Sequence, residues 1–337
     1  MKGISVIICC YNSEKNIVPT LKQLARQKFV PGTTNEIIIV DNNCNDKTVE
    51  IAQAAWLTLS NPFSLKIVQQ PIPGLSYARE LGIKSAQNEY IIFCDDDNWL
   101  NDDYSAKVFA LFESNVDIGL IGGVGEAVFE TAAPTWFVEL EGFGYAVGNE
   151  GRCTGYVESI YGAGMAIRKS VFLSVTKNTC SFILSDRLGK TILSGGDTEL
   201  CILVKNAGLK IYLDTSMKFK HYLNDNRIKW RYYLKLRRSF GKASAYLQLY
   251  DKAQSNVDSK QKNEKLYQYL SLIKFALKNL KFLLFPLYFK NVYCAEFIQQ
   301  ISKRQTIILE NKKIDAVAKL LVMRSKEENF SATSVGN

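Results

Sequence analysis

The chain has a single histidine, His221, and its eight cysteines include no C-x-x-C pair. A histidine-built zinc site and a Ser-His-Asp triad therefore have almost nothing to draw on. No Walker A sequence is present either, which leaves out the glycine- and lysine-rich phosphate loop of the P-loop enzymes. Long apolar runs are missing: the longest block, "FLLFPLYF" at 282–289, is far too short to span a bilayer and is flanked by lysines. The first apolar run opens straight into a strand pattern, so the expectation is a chain without a signal peptide. Several cysteines sit inside apolar runs such as "SVIICC" and "IIFC". That placement suits buried, reduced thiols and a cytoplasmic protein better than a disulfide frame.

What is present is an ordinary folded composition, 47% hydrophobic and 22% charged over 337 residues. The 42 Lys and Arg against 33 Asp and Glu leave +9, and the excess gathers between Lys205 and Lys281. A basic C-terminal third can meet anionic lipid, a phosphorylated substrate or nucleic acid, and composition does not choose among them.

The first 125 residues alternate strand and helix. "GISVIICC", "NEIIIVDN", "LKIVQQ" and "EYIIFC" read as strands. "SEKNIVPTLKQLARQ", with Ser13 as its N-cap, "NDKTVEIAQAAWLTLS" and "GLSYARELGIKSA" read as helices. The order predicts an α/β fold, a mostly parallel sheet with helices on both faces. From 126 to about 168 the alternation gives way to an aromatic, loop-rich stretch and a strand pair. "SGGDTELCILVKNAG" reads as a helix ending at Gly208, and "LKIYLD" and "MKFKHYL" as two strands. Beyond Ile228 the pattern is helical, interrupted by a polar linker near 251–264. "IGGVGEAV" is only a partial match to a dinucleotide loop and is set aside.

Three strands end in polar residues, "CYN", "DNN" and "DDDN", and in a parallel sheet these ends share the ligand-binding rim. Asp95, Asp96 and Asp97 in a row repel one another unless a cation joins them; carboxylates at i and i+2 can hold a hard divalent ion together with an anionic substrate. Their other reading is an exposed acidic turn capping the next helix. Asp41 can accept from a ribose or base N–H, or cap the helix that follows it. His221, at the end of a strand, is either a packed structural residue or a third metal ligand. Asp197 stands in the first turn of a helix preceded by glycines, where an ionised carboxylate is favoured.

"SVIICCYN", "IIIVDNNCNDKT", "GLSYARELGIKSAQNEYIIFCDDDNWL", "GAGMAIRKSVF" and "GGDTEL" occur in the order of the signatures of family 2 glycosyltransferases, which the chain resembles over residues 1–240. The resemblance implies a GT-A fold, an inverting transfer from a nucleotide-diphosphate sugar, UDP-sugar favoured, and Mn²⁺ or Mg²⁺ as cofactor. It implies that Cys10, Tyr11 and Asn12 border the donor base and that Asp41 contacts base or ribose. It places Arg79 near the diphosphate, makes Asp95 and Asp97 the ends of a DxD motif with Asp96 between them, gives Asp97 the direct metal contact, and makes Asp197 the general base. The usual Pro-Thr-Tyr-Asn opening is Cys9-Cys10-Tyr11-Asn12 here, and the Glu usually preceding the base is Gly196. The Gln-x-x-Arg-Trp signature of processive synthases is absent, which implies a non-processive enzyme.

The expected organisation is a catalytic domain over 1–225, with a nucleotide-sugar half at 1–125 and an acceptor half at 126–225. A helical extension follows at 226–325 and a disordered tail at 326–337. The acceptor implied is a glycan or lipid-linked glycan of surface polysaccharide assembly, with no nucleic acid. In "SLIKFALKNLKFLLFPLYFK", Lys274, Lys278 and Lys281 recur between Phe and Leu. That is the pattern of an interfacial helix at the inner face of a membrane, or of a helix packed on the catalytic domain. A nucleotidyltransferase and a non-catalytic nucleotide-sugar-binding module are the rival readings.

Overall fold

The computed structural model describes residues 2–60, 62–177, 183–184, 194–254 and 264–321. Two compact units divide the chain, one of residues 1–191 and 196–228, the other of 192–195 and 229–337. The tail expected at 326–337 lies outside the described residues, as does most of the linker near 251–264.

In the first unit the chain runs β1 (Gly3–Cys10), α1 (Ile17–Leu24), β2 (Thr34–Asp41), α2 (Thr48–Thr58), β3 (Ser64–Gln69), α3 (Leu75–Ser85) and β4 (Tyr90–Phe93). There follow β5 (Asn98–Leu100), α4 (Tyr104–Ser114), β6 (Ile118–Phe129), α5 (Thr135–Glu139), β7 (Gly155–Tyr156), β8 (Ala166–Arg168), α6 (Lys169–Lys177), α7 (Gly196–Asn206) and β9 (Lys210–Leu223). The strands make one nine-stranded sheet in the order β3-β2-β1-β4-β8-β6-β9-β5, with β7 also pairing β9. β1 pairs in parallel with β2 and β4, β2 with β3, and β6 with β9. β8, β5 and β7 run against their neighbours. The α/β class expected from the alternation is what forms.

β1, β4 and the Ile37–Val40 stretch of β2 are apolar almost throughout because helices cover both faces of the sheet. Alternate residues serve opposite cores. Ile4, Val6 and Ile8 pack with Leu21 and Trp56, while Ile7 packs with Val40, Ile83 and Phe172.

Local details differ from the sequence reading. Ser13 does not cap α1 with its side chain; its carbonyl accepts from the N–H groups of Asn16 and Ile17, so the helix begins after a turn. "LKIYLD" and "MKFKHYL" are one strand, β9, with a bulge where Gly122 pairs Leu213 but Val124 pairs Lys218. "IGGVGEAV" lies within β6, which runs through position 125, so no boundary falls between the two expected halves there.

The second unit is helical: α8 (Trp230–Gln254), α9 (Glu264–Lys278), α10 (Leu280–Leu284) and α11 (Val292–Leu309). α8 and α11 approach so closely that a Cβ on Gly241 would lie 2.1 Å from the Gln299 carbonyl oxygen. No helix among the described residues is long and apolar enough to cross a membrane.

Candidate active site

Parallel pairing puts Cys10 level with Asp41, so the ends of β1 and β2 form one rim. The loops beyond them are bonded together: Asn12 Oδ1 accepts from Asn45 N at 2.8 Å and Ser13 N donates to Thr48 Oγ1 at 2.7 Å. Asn12 holds a left-handed backbone, φ 56°. Tyr11 is exposed and Cys10 is buried. Asp41 Oδ1 accepts from Cys44 N at 2.8 Å, shaping the loop. The start of α2 is served instead by Asp46, which accepts from Thr48 N at 3.1 Å. Helix capping is therefore not the role of Asp41. A cleft of about 490 Å³ opens here, lined by Asn12, Glu14, Asn45, Asp46 and Asn224 among others.

Asn42, not singled out from the sequence, anchors the next loop: its Oδ1 accepts from Gly74 N at 2.8 Å and its Nδ2 donates to Ile72 O at 3.2 Å. Gly74, with φ 142°, leads into α3, which carries Arg79. The Arg79 guanidinium lies over the Phe93 ring, 5.0 Å from its centre. On the other side it meets Gly162, where a Cβ would come within 2.8 Å of Arg79 Nη2 and 3.4 Å of Asp197 Cβ. Gly162 N donates to Asp197 Oδ2 at 3.1 Å, and Thr198 N to Asp197 Oδ1 at 2.7 Å. Arg79 and Asp197 therefore flank one glycine. Glu199, two residues further along α7, is buried and accepts from the N–H groups of Ile183 and Leu184 at 2.8 and 2.9 Å.

The acidic trio lies nearby. Burial pushes the Cys9 thiol up to about 12, against the pull of Arg79 and with the push of Asp95 and Asp96. Burial, and then the charge of Asp97, raise Asp96 from 3.8 to about 7. The Asp96 carbonyl accepts from Thr20 Oγ1 at 2.6 Å. Asp97 is the most enclosed of the three: Oδ1 accepts from Asn98 Nδ2 at 2.9 Å, and Oδ2 lies 2.5 Å from Arg227 Nη1. β5 pairs Asn98 with His221 on β9, which brings His221 Nε2 to 3.6 Å from Asp97 Oδ1 and 3.2 Å from Arg227 Nη1. His221 is buried, and its Nδ1 has no hydrogen-bond partner. Arg227 was not foreseen; only the polar turn "LNDNR" at the end of β9 hints at it.

The donor set suits a hard divalent cation. Carboxylates at 95 and 97, with a third carboxyl between them resisting ionisation and His221 Nε2 3.6 Å from Asp97 Oδ1, are what a cation would relieve. Among the described residues no three His, Cys, Asp or Glu side chains already form a cage, so substrate oxygens would have to complete the shell.

A mostly parallel α/β sheet with helices on both faces, its acidic run following the end of β4, is an architecture of the GT-A type. The family described as Glycosyl transferase family 2 matches residues 5–173, half of the chain, and the protein belongs to it. It is similar to the poly(ribitol-phosphate) beta-N-acetylglucosaminyltransferase TarS of Staphylococcus aureus, 32% identical over 144 residues, which are 40% of this chain and 24% of TarS. It is also similar to the cholesterol galactosyltransferase of Borreliella burgdorferi, 35% identical over 96 residues, 28% of this chain and 25% of that protein. The chain thus matches about a quarter of the length of these curated relatives. The crystal structure of TarS residues 1–349 with UDP-GlcNAc aligns with 90% of this chain and 91% of that one at 15% identity and a TM-score of 0.48.

Proposed function

We propose that the protein transfers a sugar from a UDP-sugar to a hydroxyl of a glycan or lipid-linked acceptor, inverting the anomeric centre, in surface polysaccharide assembly. The observation that carries this reading is the grouping of Arg79 with Asp197 across Gly162 and, over the Phe93 ring, with the end of β4 from which the acidic run follows. That is a cation for a diphosphate set between a metal-type acid segment and a lone base.

The roles follow from the chemistry. Asp197 takes the proton from the acceptor hydroxyl; Oδ1 accepts from the N–H and hydroxyl of Thr198, while Oδ2 accepts from Gly162 N–H and has a further lone pair for that purpose. The N–H groups of Gly162 and Thr198 fix the orientation of the carboxylate. Arg79 meets the diphosphate, held flat by Phe93. Asp41, Cys10, Tyr11 and Asn12 border the base and ribose. Asp97 and Asp95, with His221 beside them, would hold Mn²⁺ or Mg²⁺, which supplies charge neutralisation to the leaving diphosphate. One base and one displacement give inversion.

The names of the relatives support a donor order. TarS is an N-acetylglucosaminyltransferase, and the chain is 27% identical over 124 residues to a poly-beta-1,6-N-acetyl-D-glucosamine synthase of Staphylococcus epidermidis. UDP-N-acetylglucosamine is the first donor to test and UDP-galactose the second. The site of action we propose is a membrane surface facing the cytoplasm, met through the basic helices α9 and α10. The deciding experiment is UDP release from each donor with Mn²⁺, repeated in EDTA; no release above a no-enzyme blank with any UDP-, GDP- or dTDP-sugar would defeat the reading.

A further inference from the structure

Arg227 Nη1 stands between the two groups that a metal would share, 2.5 Å from Asp97 Oδ2 and 3.2 Å from His221 Nε2. The three side chains are 5–14% exposed, so the contact is shielded from bulk water. A guanidinium has donors only. In this contact His221 Nε2 must therefore accept, its hydrogen lies on Nδ1, and its lone pair is committed. One oxygen of Asp97 is committed to the same cation.

The backbone that carries Arg227 is fastened. Arg227 N donates to Asn224 O at 2.9 Å, and Tyr145 Oη donates to Arg227 O at 2.7 Å. Asp225 is held from both sides, by Thr131 Oγ1 at 2.6 Å and through its own N–H on Glu130 Oε2 at 3.0 Å. Movement at this position thus belongs to the side chain, whose length lets the guanidinium leave while the turn stays.

We propose that Arg227 is the resident cation of the metal site. In the ligand-free protein it occupies Asp97 and His221, and it releases them when a nucleotide diphosphate offers its own oxygens. The proposal rests on reading residues 95–97 as the metal segment. Two cations cannot share Asp97 at contact distance in so enclosed a place without strong repulsion. A diphosphate removes the conflict, because a guanidinium binds phosphate oxygens in bidentate fashion at least as well as a carboxylate. Metal alone is thereby disfavoured, and metal with nucleotide is favoured. The same coupling must hold in both directions, since each ligand changes the affinity of the other by one shared factor.

The test is Mn²⁺ binding to the whole protein, followed by the electron paramagnetic resonance of free Mn²⁺, with and without UDP. The parent should bind Mn²⁺ weakly alone, and UDP should tighten it about tenfold or more, within the usual range of coupling between sites. Arg227→Gln should bind Mn²⁺ alone about tenfold tighter and lose most of the gain from UDP. Arg227→Lys keeps the charge but not the fork, so Mn²⁺ alone should stay weak while UDP with Mn²⁺ weakens; this variant carries the test if Arg227→Gln fails to fold. Equal Mn²⁺ affinity in parent and Gln variant, or unchanged UDP affinity in the Lys variant, overturns the proposal while leaving the transferase reading intact. A parent that binds UDP no better with Mn²⁺ than without overturns both the proposal and the metal reading of residues 95–97.

Discussion

Gly162 N–H donates to Asp197 Oδ2 at 3.1 Å, and the same glycine lies so close to Arg79 that a Cβ there would sit 2.8 Å from Nη2. Asp197 and Arg79, the proposed base and diphosphate contact, thus both meet one residue that has no side chain. Gly162→Ala would push the far end of a flexible arginine, not the backbone, so the fold should survive. We expect melting within a few degrees of the parent and a loss of roughly 10²-fold in kcat/KM, the scale of an ångström-level misplacement. Parental activity in Gly162→Ala would show that the close approach has no part in catalysis.

Substitutions at Asp197 and Glu199 are expected to separate catalysis from stability. Asp197→Asn keeps the volume but cannot take a proton, so transfer should fall by roughly 10²–10⁴ while UDP with Mn²⁺ binds within a few-fold of the parent. Glu199→Gln removes a buried double acceptor of backbone N–H groups and should destabilise the fold by about 1–3 kcal/mol. Denaturant melts and single-turnover transfer assays on both variants give the answer. Should Asp197→Asn retain near-parental turnover, the base lies elsewhere.

Asp96 ties stability to pH. Its carboxyl is raised from 3.8 to about 7, first by burial and then by Asp97. The folded state thus holds this proton more tightly than the unfolded chain, and the contribution is fully present below about 3.8 and lost as pH rises through about 7. Asp96→Asn has no proton to lose. In EDTA, its melting temperature relative to the parent should be higher at pH 8 than at pH 5, with the difference growing between those values. A difference independent of pH would refute this assignment.

The sequence is most informative where a strand is a continuous apolar run ending in acids. β1, β2 and β4 were legible for that reason, and with them the rim of Cys10, Asp41 and Asp95. It is least informative where placement depends on distant pairing. β5 and β8 have three residues each, too few to show a period, yet β5 on β9 is what carries His221 to Asp97. Arg227 reaches the site through a polar turn whose hydrogen bonds involve Thr131 and Tyr145, 94 and 82 positions before their partners. The helical pattern across 264–284 reads as unbroken, but it breaks at Asn279, whose Nδ2 donates to the Phe275 carbonyl and competes with the helix ladder.

The face of α9 and α10 gives the last prediction. Ile273, Leu277, Leu284 and Phe285 are 53–63% exposed, and Tyr288 is 81% exposed. Exposed Lys274, Lys278, Lys281 and Lys290 lie among them, and no acidic residue occurs from 266 to 295. Packing into the helical unit is already provided by the opposite side, where Phe275 stacks on Phe297 and Phe282 is buried. A second copy of the same face would bring lysines against lysines, whereas an anionic bilayer accepts the lysines at its headgroups and the leucines just below. Vesicles with about a third phosphatidylserine should therefore carry the protein upward in a flotation gradient at low salt, and neutral phosphatidylcholine vesicles should not. The double change Leu277→Glu with Leu284→Glu should abolish flotation without lowering UDP affinity, while Lys274→Gln with Lys278→Gln should weaken it several-fold, at about 1 kcal/mol per lysine. Protein that stays at the bottom of the gradient with anionic vesicles at low salt would end the membrane assignment. A concentration-dependent dimer lost in the Leu277→Glu and Leu284→Glu double variant would instead assign the face to self-association.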